Sequence, residues 1–368
     1  MTMDLEWLRQ LDLDTPSLLL DRAALEHNVT AMAAFARRHG VALRPHAKTH
    51  KSADIARLQL AAGALGVCVA KLGEAEALAA AGIDRLTVTA PLIGRRKLAR
   101  LQRLAGRVAS LMVVVDDLDA AAALAAAVAG RSTPLDCLVD LDVGLGRTGL
   151  SEPTAVCRLA RFVEEHPALR YAGVQAYAGQ IQHLTGSDER RAASLAVGDR
   201  LRALVEALAA AGLPPEIVTG SGTGTFAVDA RQGVFTELQV GSYVFVDDEY
   251  AACAPLMDEG PELQRSAFVL AQVISRPAAD VATIDAGSKS LSYDGPLPSV
   301  QAPGGLQFQR AGDEFAKVVG GAAPALGERV LLGLPHCDPT VNLFDAYTVV
   351  ADGAVVAEWP VTARGRAD

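Results

Sequence analysis

Residues 66–89 read GVCVAKLGEAEALAAAGIDRLTVT, and this one unit sets the rule for most of the chain. A short β-branched run (66–70) is followed by a segment (72–81) whose apolar residues recur three and four positions apart. Gly82 closes that segment, as Gly63 and Gly212 close others, and a second β-rich run begins at 85. The same alternation gives candidate strands at 42–48, 66–70, 85–89, 111–116, 135–141, 171–176, 216–219 and 237–241. Helical spacing lies between them at 52–62, 72–81, 93–105 and 187–211. Eight strands alternating with helices favour an α/β fold of the closed (β/α)₈ TIM type over an open doubly wound sheet.

From about residue 255 the texture changes to short alternating runs (266–275, 281–285, 328–332, 345–350) separated by Gly/Pro clusters. The closing YTVVADGAVVAEWPV predicts a hairpin turning at Asp352-Gly353. We therefore expect a barrel over 22–250 and a C-terminal antiparallel β-domain over 251–368. Residues 1–21 belong with the β-domain, because the strand SLLLD (17–21) is one too many for a ring of eight.

A chain of 368 residues is long for one core, and with half its residues apolar it has ample material for two. A net charge of −9 speaks against nucleic acid or an anionic membrane as partner. The N-terminus lacks a signal-peptide pattern, and no apolar run reaches membrane-spanning length. Five cysteines without a CxxC pair suit a reducing cytoplasm.

Chemistry concentrates at the expected C-terminal ends of strands. In Arg44-Pro-His-Ala-Lys-Thr-His-Lys51, Arg44, His46 and Lys48 share one strand face, where a barrel would place Val, Ile or Leu. A lysine crowded by cations and partly desolvated would have a lowered pKa and offer a free amine for imine formation. If the strand ends early, the same residues are solvated loop. The loop Thr219-Gly-Ser221-Gly222-Thr223-Gly224-Thr225 follows the seventh barrel strand, and Gly241-Ser242-Tyr243 follows the eighth. Barrels frequently bind phosphate there, through backbone N–H groups and hydroxyls. Asp142 and Arg147 lie in a Gly-rich loop after strand five, where capping is the bland reading. Tyr177 and His183 follow strand six, and a histidine is a natural proton acceptor at neutral pH. In Pro335-His336-Cys337-Asp338-Pro339, an extended segment would put His336 and Asp338 on one face with Cys337 away. An imidazole and a carboxylate so placed suit a divalent ion.

At these residues the chain resembles the D-threonine aldolase and D-serine dehydratase family, enzymes with the alanine-racemase type of fold that use pyridoxal 5'-phosphate. The likeness runs in order through residues 44–51, the Arg147 loop, Tyr177 to His183, the Gly/Thr loop, Asp285-Ala-Gly-Ser-Lys289 and residues 335–342. It implies a barrel joined to a β-domain, a homodimer, and a small D-3-hydroxy amino acid as substrate. Lys48 then matches the lysine that carries the cofactor as an imine. Arg147, Tyr177 and the 222–224 loop match cofactor contacts. His336 and Asp338 match the metal pair, while Asp285, Lys289 and Asp294 match a stretch lining the site.

Within the family, dehydratases resemble His-x-Cys and bind Zn²⁺, whereas aldolases resemble His-x-Asp and use Mn²⁺ or Mg²⁺. This chain has Asp338 two residues after His336, and oxygen ligation favours the harder ions. The resemblance thus implies retro-aldol cleavage of a D-threonine-like substrate to glycine and an aldehyde, with His183 or a metal-bound water as base. Alternatives are a 3-hydroxy-D-aspartate aldolase releasing glyoxylate and a D-serine dehydratase giving a keto acid and ammonia. A non-catalytic carrier of the cofactor has no use for the 335–342 motif.

Overall fold

A computed structural model describes residues 7–8, 11–253 and 260–368. Residues 1–6, 9–10 and 254–259, which carry part of the N-terminal reading and the expected start of the β-domain, lie outside the described residues.

Two sheets organise the chain. The first holds eight parallel strands: β2 (Ala42–Leu43), β3 (Val67–Val69), β4 (Arg85–Val88), β5 (Ser110–Val115), β6 (Leu135–Asp140), β7 (Leu169–Ala176), β8 (Ile217–Gly220) and β9 (Glu237–Leu238), in the order β2-β9-β8-β7-β6-β5-β4-β3. Main-chain bonds from Leu65 to Leu43, from Cys68 to Pro45 and from Ala47 to Cys68 close β3 onto the β2 segment, so the sheet is a ring. The expected strand over 42–48 is regular only at Ala42–Leu43. Its ladder continues through Arg44 and His46, which donate to Leu238 and Val240, and Lys48 stands just beyond it in a turn closed by Lys51 N to Ala47 O.

The connecting helices bury one apolar stripe against the ring. Pro153–Glu165 buries Val156, Leu159, Ala160 and Val163, and Arg95–Ala105 buries Leu98, Leu101, Leu104 and Ala105. Between β7 and β8 the backbones approach so closely that a Cβ on Gly173 (φ +145°) would stand 1.9 Å from the Ile217 carbonyl oxygen. Only glycine fits there.

The second sheet contains β1 (Ser17–Asp21), β10 (Ala267–Ala278), β11 (Val281–Ile284), β12 (Val300–Ala302), β13 (Gln307–Arg310), β14 (Ala316–Val319), β15 (Arg329–Gly333), β16 (Ala346–Ala351) and β17 (Ala354–Pro360). The strands after residue 266 pair antiparallel with one another. The N-terminal β1 inserts between β10 and β16 and supplies the sheet's parallel pair, with β16. The β16–β17 hairpin turns at Asp352 and Gly353, both with positive φ as a type I′ turn requires. No helix among the described residues is long and apolar enough to cross a membrane.

The ring is also tied by charge. Arg44 donates to both carboxylate oxygens of Glu237 at 2.8 Å, and both side chains are buried. This fork joins the first barrel strand to the last. Removing one partner strands the other charge, so Glu237→Gln should cost about 3–5 kcal/mol in denaturant unfolding. The double change Arg44→Met with Glu237→Leu should recover much of that loss.

Candidate active site

A cavity of about 380 Å³ opens at the C-terminal ends of the barrel strands, within the size range of small-ligand sites. Lys48, Lys71 and Arg147 line it, and no carboxylate does so among the described residues. Gly222 and Thr223 from the loop after β8, and Gly241 and Ser242 from the loop after β9, form one wall. Beside them the Thr49 hydroxyl is buried without a protein partner, so a polar group of a ligand is what would satisfy it. Cations, hydroxyls and close-set glycines fit a phosphate dianion. A larger groove of about 1030 Å³ lies elsewhere, but its Arg22 and Glu26 pair with each other and its His27 is bonded to the Glu262 carbonyl. We assign chemistry to the smaller cavity.

Lys48 Nζ donates to Asp338, which belongs to the second domain. Burial opposes the ammonium charge, yet the Asp338 and Tyr177 side chains raise the Lys48 pKa above its ordinary value. This reverses the expectation of a lysine crowded by cations. Arg44 is neutralised by the Glu237 carboxylate, and burial together with Lys48 holds His46 well below the usual imidazole range. Burial likewise works against the charge on Asp338, but Lys48 keeps its pKa depressed.

The 335–342 segment also differs from the extended form expected of it. Cys337–Val341 is a helical turn with His336 as its N-cap, so Asp338 reaches Lys48 from the first turn. Cys337 is fully buried with its N–H on Asp247 Oδ2 at 2.8 Å, and burial raises the thiol pKa well above normal. His336 Nδ1 sits 2.9 Å from Asp294 Oδ2 and 4.0 Å from Glu249 Oε2. Although burial disfavours the imidazolium, Asp338, Asp294 and Glu249 raise the His336 pKa. No group of three or more His, Cys, Asp or Glu side chains is arranged to hold a metal among the described residues. The donor set nevertheless suits a hard cation held by His336 and Asp338 with oxygen from water, because acids outnumber bases around it and the buried Glu249 Oε2 lacks a hydrogen-bond partner.

The remaining residues divide. Arg147 stands with its guanidinium 5.7 Å from the Tyr177 ring centroid, and both line the cavity. Asp142 serves its own loop, accepting from Gly144 and Gly146 N–H at 2.9 and 3.0 Å. Ser221 is buried with positive φ and lies outside the lining. The Gly224 N–H is taken by Gln182 Oε1 at 2.9 Å, so that group is directed away from the cavity. Tyr243 is a core residue whose hydroxyl accepts from Gln59, while its N–H holds Thr223 Oγ1 at 3.0 Å. His183 packs edge-on against cavity-lining Tyr250, with its Nε2 3.6 Å from Glu249 Oε2. Asp285 accepts from Gln272 N and Lys289 pairs with Glu314, so Asp294 is the member of that stretch that meets the site.

Sequence reasoning passed over Thr49, Lys71, Thr89, Gln175, Gln239 and Tyr250. Gln175 and Gln239 carry a usable signal, since each interrupts an apolar strand run (YAGVQA, ELQVG) near its C-terminal end.

A barrel with this rim and a β-domain carboxylate reaching into it defines an alanine-racemase-like protein. A family profile described as "Alanine racemase, N-terminal domain" matches residues 20–249, and one described as "Putative serine dehydratase domain" matches 266–350. The chain belongs to the D-threonine aldolase and D-serine dehydratase family of that fold. A D-threonine aldolase of Arthrobacter sp. is 41% identical over 96% of this chain and 93% of its own. A 3-hydroxy-D-aspartate aldolase of Paracoccus denitrificans (strain Pd 1222) is 37% identical over the same shares. The crystal structure of D-threonine aldolase from Filomicrobium marinum superposes with a TM-score of 0.93 at 39% identity, covering 97% of both chains.

Gln182 holds the phosphate-type loop by bonding both Gly224 N and Thr225 Oγ1. Gln182→Leu should therefore cost roughly 1–3 kcal/mol of stability, read by thermal unfolding, and weaken inorganic phosphate binding measured by calorimetry.

Proposed function

We propose that this chain is an aldehyde-lyase that cleaves D-3-hydroxy amino acids of the D-threonine kind to glycine and an aldehyde, using pyridoxal 5'-phosphate and a divalent metal. The observation that carries the reading is the meeting of Lys48 and Asp338. The barrel's cavity-lining amine is met by the β-domain's metal-type carboxylate.

Thr49, Thr223, Ser242 and the backbone at Gly222 and Gly241 would hold the cofactor's phosphate. Arg147 and Tyr177 would flank its ring, and Lys48 would carry its aldehyde carbon. When bound, the cofactor supplies the electron sink for the bond that breaks at Cα, and the metal polarises the 3-hydroxyl oxygen. Engagement of Lys48 elsewhere removes the cation from Asp338. A buried carboxylate left unpaired is costly, and a divalent ion held by Asp338 and His336 would supply the missing positive charge. Asp294 on Nδ1 of His336 would fix the ring so that Nε2 faces the ion. His183, with Glu249 behind it, would take the proton from the 3-hydroxyl oxygen, unless a metal-bound water does so. Mn²⁺ or Mg²⁺ suits the His/Asp pair better than Zn²⁺. A cytoplasmic homodimer, expected from the resemblance and the composition, completes the reading.

One observation favours a second substrate. Lys71 is exposed at the cavity rim, where its ammonium could meet a side-chain carboxylate, as 3-hydroxy-D-aspartate would present.

Incubation with D-threonine, 3-hydroxy-D-aspartate and D-serine, scoring glycine against ammonia, decides among these. Cleavage to glycine that EDTA abolishes and Mn²⁺ restores is expected, with Lys48→Ala at least about 10³-fold slower. Ammonia as the main product, or substantial aldolase activity in Lys48→Ala, would overturn the assignment.

A further inference from the structure

A barrel of this type packs apolar layers beneath its rim. Here His46, Thr89, Gln175 and Gln239 line the cavity floor, and Asp140 is buried behind them at the end of β6. Their hydrogen bonds run in one fixed direction. The Thr89 hydroxyl donates its proton to the Val69 carbonyl at 3.1 Å, so toward His46 Nε2, 3.0 Å away, it accepts. Nε2 therefore carries the proton, and Nδ1 accepts from the Lys48 backbone N–H at 3.3 Å. A protonated His46 would turn a second donor toward that N–H. At the other end, the Gln175 amide nitrogen donates to the Thr89 carbonyl and to Asp140 Oδ1, both at 3.1 Å. Its amide oxygen accepts from Gln239 at 3.2 Å. Asp140 Oδ2 accepts from the hydroxyl of Thr148, next to Arg147, at 2.7 Å.

We propose that His46 and Asp140 are positioning residues at the two ends of one hydrogen-bonded strap. The strap passes through Thr89 and Gln175 under the cavity and ties the Lys48 turn to the Arg147–Thr148 loop. The consequence for catalysis rests on the reading of the site given above; the strap itself does not. Its work is geometric, because Asp140 serves as a double acceptor rather than as a charge. An asparagine can keep the path, its oxygen accepting from Gln175 and its nitrogen donating to the Thr148 hydroxyl. An alanine cannot. Burial raises the Asp140 pKa to about 6, so removing its charge costs less than it would for an ordinary carboxylate.

The test compares Asp140→Ala, Asp140→Asn, His46→Leu and the double variant Asp140→Ala/His46→Leu in the full chain. Hydrogen–deuterium exchange needs neither cofactor nor activity. Asp140→Ala should raise exchange across 46–50, His46→Leu should raise it across 144–150, and Asp140→Asn should match wild type at both. In cofactor-loaded enzyme, Asp140→Ala should lower kcat by about 10- to 100-fold with little change in KM, as a misplaced reacting group does. The double variant should be no slower than the slower single, since both break one path, whereas sites without shared partners add. Exchange changes confined to the mutated end, additive losses, or Asp140→Asn as damaging as Asp140→Ala would overturn the strap. Should Asp140→Ala fail to fold, Gln175→Met cuts the middle of the path and is read by the same exchange at both ends. A wild type that takes up no pyridoxal phosphate would sink the functional reading while the exchange result still judges the strap.

Discussion

Closure of the barrel at residues 42–47 is the constraint on which the site depends. This segment must pair with β9 on one side and with the β3 segment on the other, and it does so across Pro45, which has no N–H to give. The Pro45 carbonyl accepts from Cys68, while the flanking Arg44 and His46 donate to Leu238 and Val240. Along this segment the side chains take up different tasks. Arg44 locks the ring through Glu237, His46 enters the cavity floor, and the turn that follows delivers Lys48 and Thr49 to the rim. A closed ring gives the amine a fixed address; an open sheet with the same residues would leave the β2 segment as a fraying edge.

The second domain completes the site through one helical turn. Strand β15 ends at Gly333, and the chain enters Cys337–Val341 with the N–H of Cys337 held by Asp247 from the barrel side. That anchorage points Asp338 at Lys48 and leaves His336 among Asp294, Glu249 and Asp247. A cationic cavity therefore abuts an acid-rich cluster, and the Lys48–Asp338 pair is the contact between the two fields. Attraction between opposite charges in a half-buried setting is worth enough to hold the halves in register. It is also easily exchanged for another cation of the right size.

Much of this architecture was legible in the sequence. All eight barrel strands fall within or beside their predicted runs, because most are aliphatic or β-branched stretches set off by nearby glycines. The hairpin at Asp352-Gly353 follows from turn chemistry alone. What periodicity could not convey is where a side chain finds its partner once the ring closes. Lys48 next to His46 and His50 looks cationic along the chain, yet its decisive neighbour is 290 residues away. The His336-Cys337-Asp338 stretch has alternating polarity like a strand, but Pro339 at the third position of a helical turn is compatible with helix as well, and the Asp247 carboxylate selects it. Tyr243 and Gly224 belong to the right loops with the wrong facing, since a loop's sequence carries no register comparable to a strand's.

The charge balance of the whole molecule gives a last reason to locate chemistry at this rim. A chain of net charge −9 repels small anions at long range. It nevertheless presents Lys71 and Arg147 in one cavity without an opposing carboxylate among the lining residues described, beside a Lys48 whose ammonium Asp338 meets. Gathering like charges costs free energy that folding would not spend on a merely structural feature, unless a ligand of opposite charge normally shares the space. A phosphate dianion and an amino-acid carboxylate already carry more negative charge than these two cations can balance. On that count an uncharged side chain at Cβ is better matched to the cavity than an acidic one, unless Lys71 turns wholly to the side chain. Substrate preference therefore depends on which anion Lys71 meets, and the barrel's own geometry leaves that lysine at the rim, where both can reach it.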